Sequence, residues 1–226
     1  MIKRILGVIL SGVAIISLVA CSPSTSKNEN EIKVQESAKA DESEKKFIGE
    51  GEWATDYTMD QVTQLNNEIT TRMEEVCNFY GLEYIKDEKI KDENNESVND
   101  KYVYFDNLDP EPNRMESMYY GFKTYGTDMA RGSLNLKIGF KLDLDLIKNE
   151  DKFDLKETSI SNFSEAMTNN PDRDYSEINE NIIDIVKNQN ANGTIETNLN
   201  GLVETITIKD DFLLYKIDSK TYNFKK

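Results

Sequence analysis

The segment LNLKIGFKLDLDL, residues 134–146, constrains the fold more than any other. Every even position from Leu134 to Leu146 is apolar, and every odd position is polar, charged or Gly. Successive side chains of a strand point to opposite sides, so this pattern predicts one strand over 134–146 with one buried and one wet face. A strand covered on both faces, as in a parallel sheet, would read as a continuous apolar run. The expectation is an antiparallel sheet with one side covered.

The cover is predicted by two main helices. Over residues 58–80, Val62, Leu65, Ile69, Met73, Val76 and Tyr80 recur at three- and four-residue steps. Thr58 with Gln61 forms a capping-box pattern, and Gly81 stands where a helix stops. Over residues 174–189, Tyr175, Ile178, Ile182, Ile185 and Val186 form a second stripe, with Asp174 as its cap and Asn192-Gly193 as its end. A shorter helix is expected over 160–168. Leu82 to Ile85 reads as a short strand, and KDEKIKDENNESVND, 86–100, as an acidic polar loop. KYVYF at 101–105 and MYYGFKTYG at 118–126 read as strands because Tyr and Phe favour a pleated surface. IETNLNGLVETITI, 195–208, reads as a hairpin turning at Asn200-Gly201, and Lys209-Asp210-Asp211 turns again into 212–217. Helix then strands, twice, without one helix per strand, is an α+β order. It suits an antiparallel sheet packed by two main helices, with two helix-plus-meander units in one domain as a possible arrangement.

Ahead of this domain stands MIKR, then the apolar run Ile5 to Ala20, then Cys21. The run is short for a membrane span, which needs roughly twenty residues. It suits the apolar region of a secretory signal peptide. Leu18-Val19-Ala20-Cys21 resembles the lipobox of bacterial lipoproteins. The resemblance covers residues 1–22 only, and implies a signal peptide over 1–20 and a diacylglycerol on the Cys21 thiol. Two or more acyl chains hold a protein firmly on a bilayer. The resemblance thereby also implies a cell-membrane location with the body on the extracellular side. Residues 21–46, rich in Ser, Glu, Lys and Asn, then read as the lipidated Cys and a disordered tether, and 47–226 as one extracellular domain. The frequent Lys, Asn and Ile suit a Gram-positive source with AT-rich codons.

The formal net charge is −15, and loss of Lys3 and Arg4 with the signal leaves about −17. Nucleic acid is excluded as a partner, because phosphate binding needs clustered Lys and Arg. Anionic headgroups would repel the body, so the membrane is met through the lipid anchor.

No catalytic constellation is legible. His is absent, which removes Ser-His-Asp and Cys-His catalysis and the commonest zinc ligand. No Gly-rich phosphate loop, metal motif or cofactor motif is present. Cys77 has acidic neighbours in Glu74 and Glu75 and lies beside an apolar stripe, so it reads as a small core residue rather than a reactive thiol. The cluster Asp172, Asp174, Glu177 fails the EF-hand spacing, since Glu177 and Ile183 stand where Gly and Glu are required.

The aromatic segment is more informative. Alternation sets Tyr102 and Tyr104 on one side of a strand, against Val103 and Phe105, and separates Tyr119 from Tyr120 and Phe122. If one side is core, the other exposes tyrosines, which suit stacking and protein contacts. Asp106, Asp109 and Glu111 share the loop joining these strands. The expected binding patch is therefore Tyr102, Tyr104 and Tyr119 rimmed by Asp106, Asp109 and Glu111, and its partner an envelope protein or a neutral glycan. The expectation is a non-catalytic binding or assembly module at the cell envelope. The alternatives are a solute-binding lipoprotein of a transporter, which would need two lobes and a cleft, and a cell-wall enzyme working through carboxylates.

Overall fold

The computed structural model describes residues 50–224; the lipobox-like segment, Cys21 and the tether lie outside them. The elements are α1 (Met59–Phe79), β1 (Ile85–Glu93), β2 (Glu96–Asp106), β3 (Arg114–Tyr125), β4 (Arg131–Lys141), α2 (Leu144–Glu150), α3 (Ser159–Thr168), α4 (Ser176–Asn188), β5 (Asn192–Leu199), β6 (Leu202–Lys209), β7 (Phe212–Asp218) and β8 (Tyr222–Asn223). The fold is α+β.

All strand pairs are antiparallel. They make one sheet in the order β1-β2-β3-β4-β7-β6-β5, with β8 beside β4. The chain thus lays down two meanders, β1–β4 and β5–β7, and joins them where β4 pairs β7. On the inner face, Tyr120, Leu136 and Ile217 lie in one cross-strand row, and Met118, Ile138, Tyr215 and Ile206 in another. All seven are fully buried. The helices cover this face: α1 lies on β2 and β3, α3 on β3 and β4, α4 against β5, and α2 on α4.

α1 starts as its sequence dictates. The Thr58 hydroxyl accepts from the Gln61 N–H at 3.2 Å, and the Gln61 side chain accepts from the Thr58 N–H at 2.9 Å. Gly81, at φ +66°, follows its end in a left-handed conformation. Its buried residues are Val62, Asn66, Ile69, Met73 and Cys77; of the expected stripe Val62, Ile69 and Met73 are buried, and Leu65 and Val76 are half-buried against the core. Asn66 takes the centre in place of Leu65 because its amide oxygen accepts from the buried Tyr120 hydroxyl at 2.9 Å. Tyr80, at the helix end, stays 40% exposed.

Four expectations are corrected. Residues 86–100 are not a loop but most of the β1–β2 hairpin, turning at Asn94-Asn95, both at positive φ. Residues 82–84 are not strand. The alternating strand ends at Lys141, not at 146. Asp143 accepts from the Leu146 N–H at 3.0 Å and starts α2, so the leucine spacing continues by coincidence into a helix. α4 ends at Asn188 and the chain turns at Asn190-Ala191, both at positive φ, while Asn192-Gly193 already belong to β5. At its start, Asp174 accepts from the Ser176 N–H at 2.9 Å. The Asn200-Gly201 turn forms as expected, with both residues at positive φ.

Candidate functional site

The sheet face turned away from the helices carries the three tyrosines. Tyr104, Tyr119, Lys137, Lys216, Thr205 and Glu196 form one cross-strand row, and Asp87, Tyr102, Gly121, Asn135 and Asp218 the next. The tyrosines are half-buried by their neighbours, and Lys137 is exposed. Gly121 makes the arrangement possible. A Cβ there would meet the Tyr119 hydroxyl at 2.1 Å, because that ring folds flat over the glycine. Opposite Gly121, Tyr102 stacks on Tyr119 with centroids 6.0 Å apart and planes 26° from parallel.

The rim differs from the expected one. Lys89 lies 5.2 Å from the Tyr102 ring centroid and Lys137 5.9 Å from that of Tyr119. The carboxylates in contact are Asp87, accepting from the Tyr102 hydroxyl at 3.3 Å, and Asp100, accepting from the Tyr119 hydroxyl at 2.6 Å. Burial, then the Asp100 contact, pushes the Tyr119 phenol well above its ordinary 10. Asp100 is itself buried and also meets Lys91 at 3.1 Å, while Lys91 and Lys123 both reach Glu93. Asp106 sits at the end of β2 beside Tyr104, whose phenol is raised first by burial and then by that carboxyl. Asp109 and Glu111 lie further out on an exposed loop that packs its Pro110 carbonyl on Lys141. The structure therefore brings together Tyr102, Tyr104, Tyr119 and Asp106, and leaves Asp109 and Glu111 apart. Asp87, Asp100, Lys89 and Lys137 were not picked out in the sequence; the first three fall in the stretch read as a loop.

The other groups with chemical potential have structural partners. Cys77 is fully buried, and burial ahead of the Glu74 charge raises its thiol to about 11. Glu204, fully buried on the inner face, accepts two bonds from Arg173, at 2.6 and 2.5 Å, and one each from the Tyr215 and Thr197 hydroxyls. Four donors satisfy both oxygens, and Arg173 also stacks on Tyr175, so the network pins the 169–175 connection to the sheet. Among the described residues, no cluster of three or more His, Cys, Asp or Glu side chains is placed to hold a metal ion. No helix among them is long and apolar enough to cross a membrane.

Fold and site together define a class: an α+β domain whose single antiparallel sheet is covered on one side and bare on the other. No protein-family model matches the chain, no curated protein matches it, and no solved structure matches its fold.

Proposed function

We propose that this chain is a lipid-anchored envelope protein whose body is a non-catalytic module binding another envelope protein through the bare sheet face. The observation that carries the reading is that face, with its preformed tyrosine stack. Seven strands at a spacing of about 4.8 Å, followed for about seven residues each, span roughly 34 Å by 23 Å. That is close to the ~800 Å² that each partner contributes to a standard protein interface. A flat surface of this size suits a protein. Rings already held by stacking and by Asp87 and Asp100 lose little freedom on binding, which favours Tyr as an anchor. The charges here are largely paired with each other, as in Lys91–Asp100 and Arg131–Glu96, so the strongly acidic balance of the chain is not concentrated on this face. The lipobox-like stretch at Leu18 to Cys21 supports the anchor, and the body's single core cluster supports a one-lobed binder over a two-lobed solute carrier.

The test has two arms. Cys21→Ala in the full chain should release it from the membrane fraction; unchanged processing and retention would end the anchor reading. The anchored chain is then crosslinked in native membranes, the captured protein purified, and its binding measured directly. Tyr102→Ala with Tyr104→Ala should keep the circular dichroism spectrum and lose that binding. A folded double variant that still binds, or a captured protein that does not bind when purified, removes the face from consideration.

A further inference from the structure

On the helix side of the molecule, a groove of about 460 Å³ runs between α1 and α3. The Tyr80 hydroxyl, at the end of α1, accepts from the Asn162 amide near the start of α3. Arg72, two turns earlier in α1, donates to the Ala166 carbonyl further along α3 at 2.7 Å. The two helices are therefore antiparallel. Arg72, Glu75, Val76 and Phe79 line the groove from α1, at steps of three and four. Asn162, Glu165, Ala166 and Asn169 line it from α3 with the same steps. Each row is two turns long, about 10 Å.

The floor is apolar. Ala166 is buried, and its small side chain leaves room; Val76 is half-buried against the core. Phe79 stands 80% exposed at one end, with its ring edge-on to Tyr80 at a centroid distance of 5.0 Å. It is thus a large apolar group held in place and left bare, which is the informative kind of exposure. The walls are acidic. Glu75 and Glu165 are exposed, and among the described residues neither carboxylate has an ion pair or a hydrogen-bonded partner. α2 and α4 end on Lys148 and Lys187, whereas the last turns of α1 and α3 carry no basic residue. Arg72, the single cation among the lining residues, is turned to the Ala166 carbonyl in the last turn of α3. The end of α1 has no such cation, so its partial negative charge adds to the two carboxylates.

The occupant follows from shape and charge. A third helix seats its apolar ridge between two antiparallel ones, reading positions at three- and four-residue steps. An extended peptide needs open backbone groups to pair with, and helices offer none along their length. A second copy of this chain would bring Glu75 and Glu165 against another body of net charge −15. We propose that the α1–α3 groove binds an amphipathic helix of a partner protein, its apolar stripe on Val76, Phe79 and Ala166 and its flanking Lys or Arg beside Glu75 and Glu165. This surface is distinct from the bare sheet face and does not depend on it.

The probe is a helical peptide of about fifteen residues, of Leu, Ala and Lys, with Leu at steps of three and four and one Leu replaced by photo-leucine. It is photo-crosslinked to the full chain in phosphatidylcholine nanodiscs, with empty discs as blank, and labelled sites are mapped by mass spectrometry. Saturable labelling of 72–79 and 162–169 is expected, half-maximal below about 100 μM. Phe79→Ala should raise that concentration about tenfold or more. Glu75→Gln with Glu165→Gln should raise it about fivefold or more and weaken its salt dependence. Glu150→Gln with Glu180→Gln removes the same charge from α2 and α4 and should change it less than about twofold. Should Phe79→Ala lose its circular dichroism spectrum, the Glu75 and Glu165 pair carries the test. Labelling mainly elsewhere, equal labelling by a peptide with Glu in place of every Lys, no loss in the groove variants, or an equal loss in the charge-matched control would each overturn the proposal. So would sedimentation showing that the free chain pairs with itself and that Phe79→Ala separates it, which would give the groove to a second copy.

Discussion

The hairpins β1–β2 and β6–β7 share one antiparallel ladder but are held in different ways. β1 is exposed along all but its last residue. Its inner positions are Lys86, Glu88, Ile90 and Asp92, which no apolar layer covers, and Ile90 is 74% exposed. What ties it down is cross-strand charge: Lys91 to Asp100, Lys101 to Glu88, and Lys123 of β3 to Glu93. The Lys101–Glu88 pair is exposed on both sides, and such a pair contributes about 0–1 kcal/mol. In β6–β7, Ile206, Ile208, Leu213, Tyr215 and Ile217 are fully buried. Each such side chain contributes roughly 1.5–3 kcal/mol. The contrast teaches that an edge strand can be made by pairing alone, and that charge on both faces protects that edge from joining another sheet. The expected consequence is an uneven molecule, with the β1–β2 wing opening before the centre.

The sharpest test of the contrast is at the centre. Phe140→Ala, in β4 beside β7, should lower the stability measured by urea unfolding by about 3–5 kcal/mol. A loss below about 1 kcal/mol would mean that the centre is not where stability resides. The second test compares the two hairpin turns. Asn200-Gly201 is packed under the 51–54 segment, where a Cβ on Gly201 would meet the Ala54 backbone nitrogen at 2.6 Å. Gly201→Ala should therefore cost at least about 1–2 kcal/mol, whereas Asn95→Gly, in the exposed β1–β2 turn, should change stability by less than about 1 kcal/mol.

Acid should separate the two hairpins further. Lys91, ahead of Lys123, holds the Glu93 carboxyl below its ordinary 4.5. A carboxyl depressed in the folded state adds stability above its unfolded pKa and loses it as pH falls. Amide exchange in β1 should accordingly accelerate, relative to β6 and β7, as pH drops through and below about 4.5, after correction for intrinsic exchange. Uniform acceleration would show that the wing is not held by its ion pairs. The smallest effects belong to the wet positions: Ile90→Ser and Lys137→Ala should each stay within about 0.5 kcal/mol in the same unfolding measurement. A larger loss at Ile90 would reveal a cover over β1.

Much of the architecture is legible before folding. The even positions of 134–140 are buried, the Thr58–Gln61 box caps α1, and the tyrosines separate by parity from Val103, Tyr120 and Phe122. The misread elements share a cause. β1 carries no apolar alternation because an edge strand outside the helical layer needs none. β4 stops at Lys141 because Asp143 caps a helix there, and the spacing of Leu142, Leu144 and Leu146 does not register the change. At the candidate site, the tyrosines were visible but their fixing was not. Gly121 leaves room for the Tyr119 ring because it has no Cβ, strand pairing sets Tyr102 opposite it, and Asp100 reaches the Tyr119 hydroxyl from the neighbouring strand.

By itself, the sequence determined what depends on neighbours in the chain: helix stripes and caps, the Asn200-Gly201 turn, the two-sidedness of the strands and the α+β class. Those are matters of periodicity and local hydrogen bonding, which act over a few residues. Tertiary structure alone decided that β4 lies beside β7, pairing Asn135 with Asp218 and making one sheet of two meanders. It also decided which face the helices cover and which stays bare. Period two tells a strand that its faces differ, but only long-range register chooses the partners that each face will meet.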